Sequence, residues 1–166
     1  MKIRIFFSLV VLLGIFNAQA GIRSVKVGIN GLTCSMCSRT VEKSMLRLSF
    51  VERVEMSLEA TEAVIFIKPQ ASVSMKEIAR SVKDAGFSVR SVEADLDFSD
   101  LRLADDGTFF CQGQQYSWLG KRTLPADGKV KLKLIDIGFI PPNEKSKWAS
   151  LLTGLEKTTA LHVVRE

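Results

Sequence analysis

Hydrophobic and polar positions alternate along residues 22–29, with Val25, Val27 and Ile29 on one face, which predicts a strand. A loop at 31–37 follows. Beyond it Cys37, Val41, Met45 and Leu48 fall three or four residues apart, one stripe of an amphipathic helix. Residues 51–58 alternate again, Val54, Met56 and Leu58 against Arg53, Glu55 and Ser57. Residues 63–67 are a short apolar, β-branched run stopped by Lys68 and Pro69. Two such runs joined across 59–62 read as a hairpin. Ser74 precedes the next apolar stripe, Met75, Ile78, Val82 and Ala85, and Glu77 stands three residues after it, the pattern of a capping box. Gly86 suits the left-handed position that ends a helix, and residues 87–92 read as a last strand. The order β-α-β-β-α-β over residues 21–94 predicts an α+β unit, a four-stranded antiparallel sheet with both helices on one face, the ferredoxin-like split βαβ.

The pattern weakens afterwards. Residues 95–107 hold five aspartates with Leu101 and Leu103 among them, and read as a linker or as the first strand of a next unit. Short strands are expected at 109–111 and 116–119, a turn at 125–128, and a strand at 129–136 in which Lys129, Lys131 and Lys133 alternate with Val130, Leu132 and Leu134. Pro141 and Pro142 open a helix that runs to Leu152, and residues 159–164 close as a strand. Mostly short strands plus one helix predict a small β-rich domain at 108–166, for which a barrel of the OB type is the suggested form.

The first twenty residues differ in kind. Lys2 and Arg4 precede an apolar run from Ile5 to Phe16, and Ala18-Gln19-Ala20 supplies small residues where a signal peptidase needs them. The run is far shorter than the roughly 20 residues of a spanning helix. Residues 1–20 are therefore expected to be a signal peptide cleaved between Ala20 and Gly21. The mature protein is then expected to be secreted or periplasmic, with no membrane span, in an oxidising compartment. The formal charge of the whole chain is +5 and its hydrophobic content 46%. That composition excludes a disordered polyelectrolyte. No run of Lys or Arg gives a phosphate-tracking stripe, which argues against nucleic acid as a partner. Residues 95–166 carry as many acidic as basic side chains, so the mild positive charge sits in 21–94.

Three cysteines are too few for a disulfide scaffold. Two of them, Cys34 and Cys37, stand with two residues between them at a strand-to-helix junction. Such a pair can converge on one ion or join as a disulfide. The helix N-terminus beside Cys37 presents free N–H groups and a positive dipole end, which stabilises the thiolate that binds metal. Gly31 lets the backbone turn tightly before the pair. Two thiolates suit Cu(I), which is soft, whereas Zn(II) normally takes four ligands. Hg(II) would bind the same two sulfurs. Met36 reads as a hydrophobe over the loop, with a thioether as its only claim to a ligand role. Cys111 reads as a buried strand residue, with a third thiolate for the metal as the alternative. His162, the only histidine, is expected to point to solvent from its strand. Trp118 and Trp148 read as core anchors.

The run Gly31-Leu32-Thr33-Cys34-Ser35-Met36-Cys37, after a first strand in a β-α-β-β-α-β unit, resembles the heavy-metal-associated domain family. That family includes copper chaperones, the metal-binding modules of copper-pumping ATPases and the periplasmic mercury carriers. Its motif reads Gly-Met-Thr-Cys-x-x-Cys; Gly31, Thr33, Cys34 and Cys37 match, and Leu32 replaces the methionine that packs under the loop. Asp84-Ala85-Gly86-Phe87 is similar to the family's end of the second helix, where an aromatic lies near the loop. The resemblance covers residues 22–93. It implies that Cys34 and Cys37 bind a soft ion. Members that favour zinc often carry Asp just before the first cysteine, where this chain has Thr33.

These readings together predict a non-enzymatic, exported protein that binds Cu(I), with Hg(II) and Zn(II) behind it, and exchanges the ion with a protein partner. The alternatives are a thiol–disulfide oxidoreductase using the same pair, or a docking module of a metal transport or sensing system. No Ser–His–Asp set, paired acidic site or phosphate-binding loop is recognisable, and one histidine leaves little room for hydrolytic chemistry.

Overall fold

Val25, Val27 and Ile29 are fully buried on β1 (Gly21–Asn30), the strand around which the first half is built. The computed structural model describes residues 20–155 and 158–166. The expected signal peptide, apart from Ala20, lies outside the described residues. After β1 come α1 (Ser35–Leu46), β2 (Val51–Ser57), β3 (Glu62–Ile67), α2 (Met75–Asp84) and β4 (Ser88–Asp97). The second half adds β5 (Thr108–Cys111), β6 (Gln114–Trp118), β7 (Lys129–Leu134), α3 (Lys145–Leu152) after a 3₁₀ turn at Pro142–Glu144, and β8 (Leu161–Arg165).

β1 lies between β3 and β4, and β2 pairs with β3, all antiparallel. This is the split βαβ arrangement expected of residues 21–94. The helices form for local reasons. On α1 the side chains of Ser38, Val41 and Met45 are buried. On α2 the Ser74 hydroxyl accepts from the Glu77 N–H at 3.3 Å, Met75, Ile78 and Val82 are buried, and Gly86 follows the helix at φ +89°. A hydroxyl at that position satisfies one of the donors a helix start leaves open.

The second half corrects the expectation of an OB-type barrel. The strand order is β2-β3-β1-β4-β7-β8-β6-β5, one open eight-stranded sheet with β2 and β5 at its edges. β7 pairs antiparallel with β4, so the later strands extend the first sheet and do not close on themselves. β8 sits between β7 and β6, parallel to β6. One hydrophobic core holds Val25 and Ile78 from the first half together with Leu132, Trp118 and Val163 from the second. A break between a unit at 21–94 and a unit at 108–166 is therefore not found in the sheet or in the core.

The expected linker is also corrected at its start. Asp95, Leu96 and Asp97 belong to β4, whereas residues 101–104 form no strand. Ala94 and Leu96 are buried there, and this stretch of β4 pairs with both β1 and β7. Glu93, Asp95 and Asp97 stand directly opposite Lys133, Lys131 and Lys129 of β7. Opposite charges across an antiparallel pair stabilise it. Lys26 of β1 adds an ion pair to Glu93 at 2.7 Å, which raises the Lys26 ammonium above its ordinary pKa.

The hairpin β5–β6 turns over Gln112-Gly113, both at positive φ, the geometry of a tight two-residue turn. It reaches back to the start of β1, where the Ile22 N–H donates to Gln112 Oε1 at 2.8 Å and the Val73 N–H donates to the Gln112 carbonyl at 2.9 Å.

Candidate metal centre

The loop from β1 to α1 carries the cysteine pair. Gly31 turns the chain at φ +83°, where an L side chain is strained. Leu32 is fully buried beneath the loop and anchors it to the core. Cys34 then caps α1. Its backbone is extended, its sulfur accepts from the Cys37 N–H at 3.1 Å, and its carbonyl accepts from the Ser38 N–H at 3.0 Å. No acidic residue stands in the first turn of α1. The backbone dipoles at the start of α1 favour negative charge at the sulfurs.

Cys34 and Cys37 are joined as a disulfide, with their Cα atoms 5.2 Å apart. Of the two outcomes the spacing left open, this structure holds the oxidised one. Cys34 is exposed and Cys37 half-buried, so the pair faces outward. Met36 lies between them and is 70% exposed. Phe87 closes the inner side of the loop: a Cβ placed on Gly31 would lie 3.8 Å from its ring. Gly31, Thr33, Cys34, Met36, Cys37 and Phe87 are thus gathered at one end of β1.

Cys111 is not among them. It is a free thiol, 2% exposed, on β5, next to the Gln112 that binds Ile22. Ile22 and Asn30 stand at opposite ends of β1, about 26 Å apart at roughly 3.3 Å per residue. A metal–sulfur bond is about 2.3 Å long, so the alternative of Cys111 as a third ligand to the same ion fails on distance. Burial raises its thiol above the ordinary value and keeps it protonated. Among the described residues no cluster of three or more His, Cys, Asp or Glu side chains is placed to hold a metal ion.

His162 corrects its expectation. It is buried at 3% exposure, not turned to solvent. Asp136 draws it inward, taking a bond from Nδ1 and another from the His162 backbone N–H, each 2.6 Å. Thr158 Oγ1 lies 3.2 Å from Nε2. Asp136 is the partner that sequence reasoning missed; it lies 26 residues away, with no local signal connecting the two. Trp118 is fully buried, packed against Phe98 at 5.7 Å between ring centroids, and Trp148 is half-buried on α3.

Residues 26–88 match the family model of the heavy-metal-associated domain. A periplasmic component of mercuric transport from Pseudomonas fluorescens is 31% identical over 68 residues, 41% of this chain and 74% of that protein. The chain belongs to the heavy-metal-associated domain family. A probable copper-transporting ATPase of Arabidopsis thaliana is 32% identical over 107 residues, 64% of this chain. The matched stretch spans only 11% of that ATPase's length, and 7% and 5% of two further copper-transporting ATPases from Arabidopsis thaliana and Mus musculus. Among solved structures, the oxidized MerP of Ralstonia metallidurans CH34 is 30% identical, covering 40% of this chain and 94% of that one, with a TM-score of 0.37. No helix among the described residues is long and apolar enough to cross a membrane.

Proposed function

We propose that this protein is an exported soft-metal carrier that binds Cu(I) between Cys34 and Cys37 and passes it on by ligand exchange. The observation that carries the reading is the seat of the Cys34 sulfur: it caps α1, beside Cys37, on an outward-facing loop. The matched relatives named as copper-transporting ATPases and as mercuric transport components agree with a thiophilic ion. Two thiolates, with no cluster of three or more His, Cys, Asp or Glu around them among the described residues, favour Cu(I) over Zn(II), which takes four ligands. Hg(II) is the nearest competitor, since it too is content with two sulfurs. The signal-peptide-like pattern of residues 1–20 and the relatives named as periplasmic support an exported location.

The chemistry follows from the pair. A dithiol reductant must first pass two electrons and two protons to the disulfide, giving two thiols here and a disulfide in the reductant. Binding Cu(I) as a bis-thiolate then releases both protons. Because Cys34 is exposed, a partner's thiolate can bond to copper before a bond to this chain breaks, so the ion is handed over without being set free. The protein itself acts as a binder, not as an enzyme.

The disulfide supports a second reading, a thiol–disulfide oxidoreductase using the same pair. An anaerobic Cu(I) titration of the reduced protein against a chromogenic chelator separates the two. Expected is tight one-to-one binding, lost in Cys34→Ser and kept in Cys111→Ser. Failure of the unmutated protein to compete with the chelator would remove the copper reading and bring the redox reading forward.

A further inference from the structure

Away from the metal loop, α2 faces the segments that follow β7 and α3 across a cleft of about 860 Å³. This is within the range of small-molecule sites, about 300–1,000 Å³. Its apolar lining includes the buried Ala79, Phe139 and Leu161, with Leu152 and Leu155 half-buried beside them. Lys76, Arg80 and Lys83 line the opposite side, at the i, i+4, i+7 spacing that puts them on one stripe of α2. Among the described residues, none of the three forms an ion pair. Asp136, the one carboxylate among the described residues that line the cleft, accepts from His162 at both oxygens. Lys83 leans across: its Nζ lies 3.9 Å from the Cβ position of Gly138 on the far wall. Among the described residues, the cleft thus combines an apolar interior with three cations that form no ion pair. Most of its wall comes from residues 136–162, outside the stretch that matches the heavy-metal-associated domain.

We propose that this cleft binds a small amphipathic anion, an acyl or alkyl chain on the apolar wall with a carboxylate or phosphate head held by Lys76, Arg80 and Lys83. Charge selects the head, because a neutral head would leave the three cations uncompensated. The concave apolar wall selects a chain, because a bare anion would leave it wet. The arrangement explains why α2 keeps a row of basic side chains facing a recess.

Calorimetric titration of the full protein with decanoate, decyl phosphate, decanol and acetate, below micelle formation, tests this. Decanoate, decyl phosphate or both are expected to bind at least tenfold more tightly than decanol and acetate, and the tighter of the two identifies the head group. Charge reversal at Lys76→Glu, Arg80→Glu and Lys83→Glu is expected to weaken that binding at least tenfold. All three side chains are exposed, so the melting temperature should hold; the milder Arg80→Gln should shift affinity in the same direction. Equal binding of decanol, unchanged binding by the charge-reversed protein, or no binding of either anion would overturn the proposal. Cys34→Ser should bind the anions as the unmutated protein does, which keeps the outcome separate from the copper reading.

Discussion

The Cys34 sulfur accepts a hydrogen bond from the Cys37 N–H at 3.1 Å, so one ligand atom is also the cap of α1. The two roles separate by substitution in the reduced protein. Cys34→Ser keeps an oxygen that caps well; Cys34→Ala keeps none. Both should abolish tight Cu(I) binding, but Ala should be less stable than Ser by about 1 kcal/mol. Urea unfolding under reducing conditions measures the difference.

Asp136 and His162 form a part-buried polar contact in the second half, with two bonds of 2.6 Å. Removing the carboxylate by Asp136→Ala would leave a buried imidazole and a backbone N–H without their acceptor. A cost of about 2–3 kcal/mol is expected, since unsatisfied buried groups lose their full desolvation energy. Chemical unfolding of the variant measures it. Metal binding should be unchanged, because α1 and its loop make no use of this pair.

Asp95 and Lys131 stand opposite each other across the β4–β7 junction, the seam between the two halves. Asp95 also accepts from the Ser24 hydroxyl at 2.8 Å. Lys131→Glu places like charges across the seam and should destabilise by about 0.5–1 kcal/mol. The further change Asp95→Lys should recover part of the loss. A double-mutant cycle in urea gives the coupling, and its size should fall as salt is added.

Asp97 supplies a pH dependence. Its carboxylate accepts from the Ser99 hydroxyl and the Ser99 N–H and lies 4.0 Å from Arg23, and these contacts hold its carboxyl below the usual value of 3.8. A lowered folded-state value means that the stabilisation is fully present above the unfolded value and is lost as pH falls through the folded one. Asp97→Asn should therefore be less stable than the unmutated protein at pH 7. The gap should close as pH falls below about 4. Unfolding midpoints measured across that range follow the closure.

The first half was legible because its signals are local. The spacing of Val25, Val27 and Ile29 marks a strand, that of Ile78 and Val82 a helix, and Cys34 and Cys37 mark the loop between two elements. In the second half the short strands were legible but their partners were not. Asp95 and Asp97 looked like solvated linker residues because their lysines lie more than thirty positions away on β7. β8 enters between β7 and β6, a placement that no local period encodes. His162 read as solvent-facing from its neighbours alone, and Asp136 reverses that from 26 residues away. Spacing could not decide between metal and disulfide at Cys34 and Cys37, because oxidation state depends on surroundings as well as sequence.

Exchange kinetics test the carrier reading most directly. The copper-loaded, reduced protein is mixed with rising concentrations of a small dithiol under anaerobic conditions, and the loss of copper is followed in time. Hand-over at an exposed pair requires the incoming thiolate to bond before the ion leaves. The expected result is a rate that rises in proportion to dithiol concentration and disappears with the site in Cys34→Ser. A rate independent of dithiol concentration would mean that copper must dissociate first, and would contradict transfer by ligand exchange.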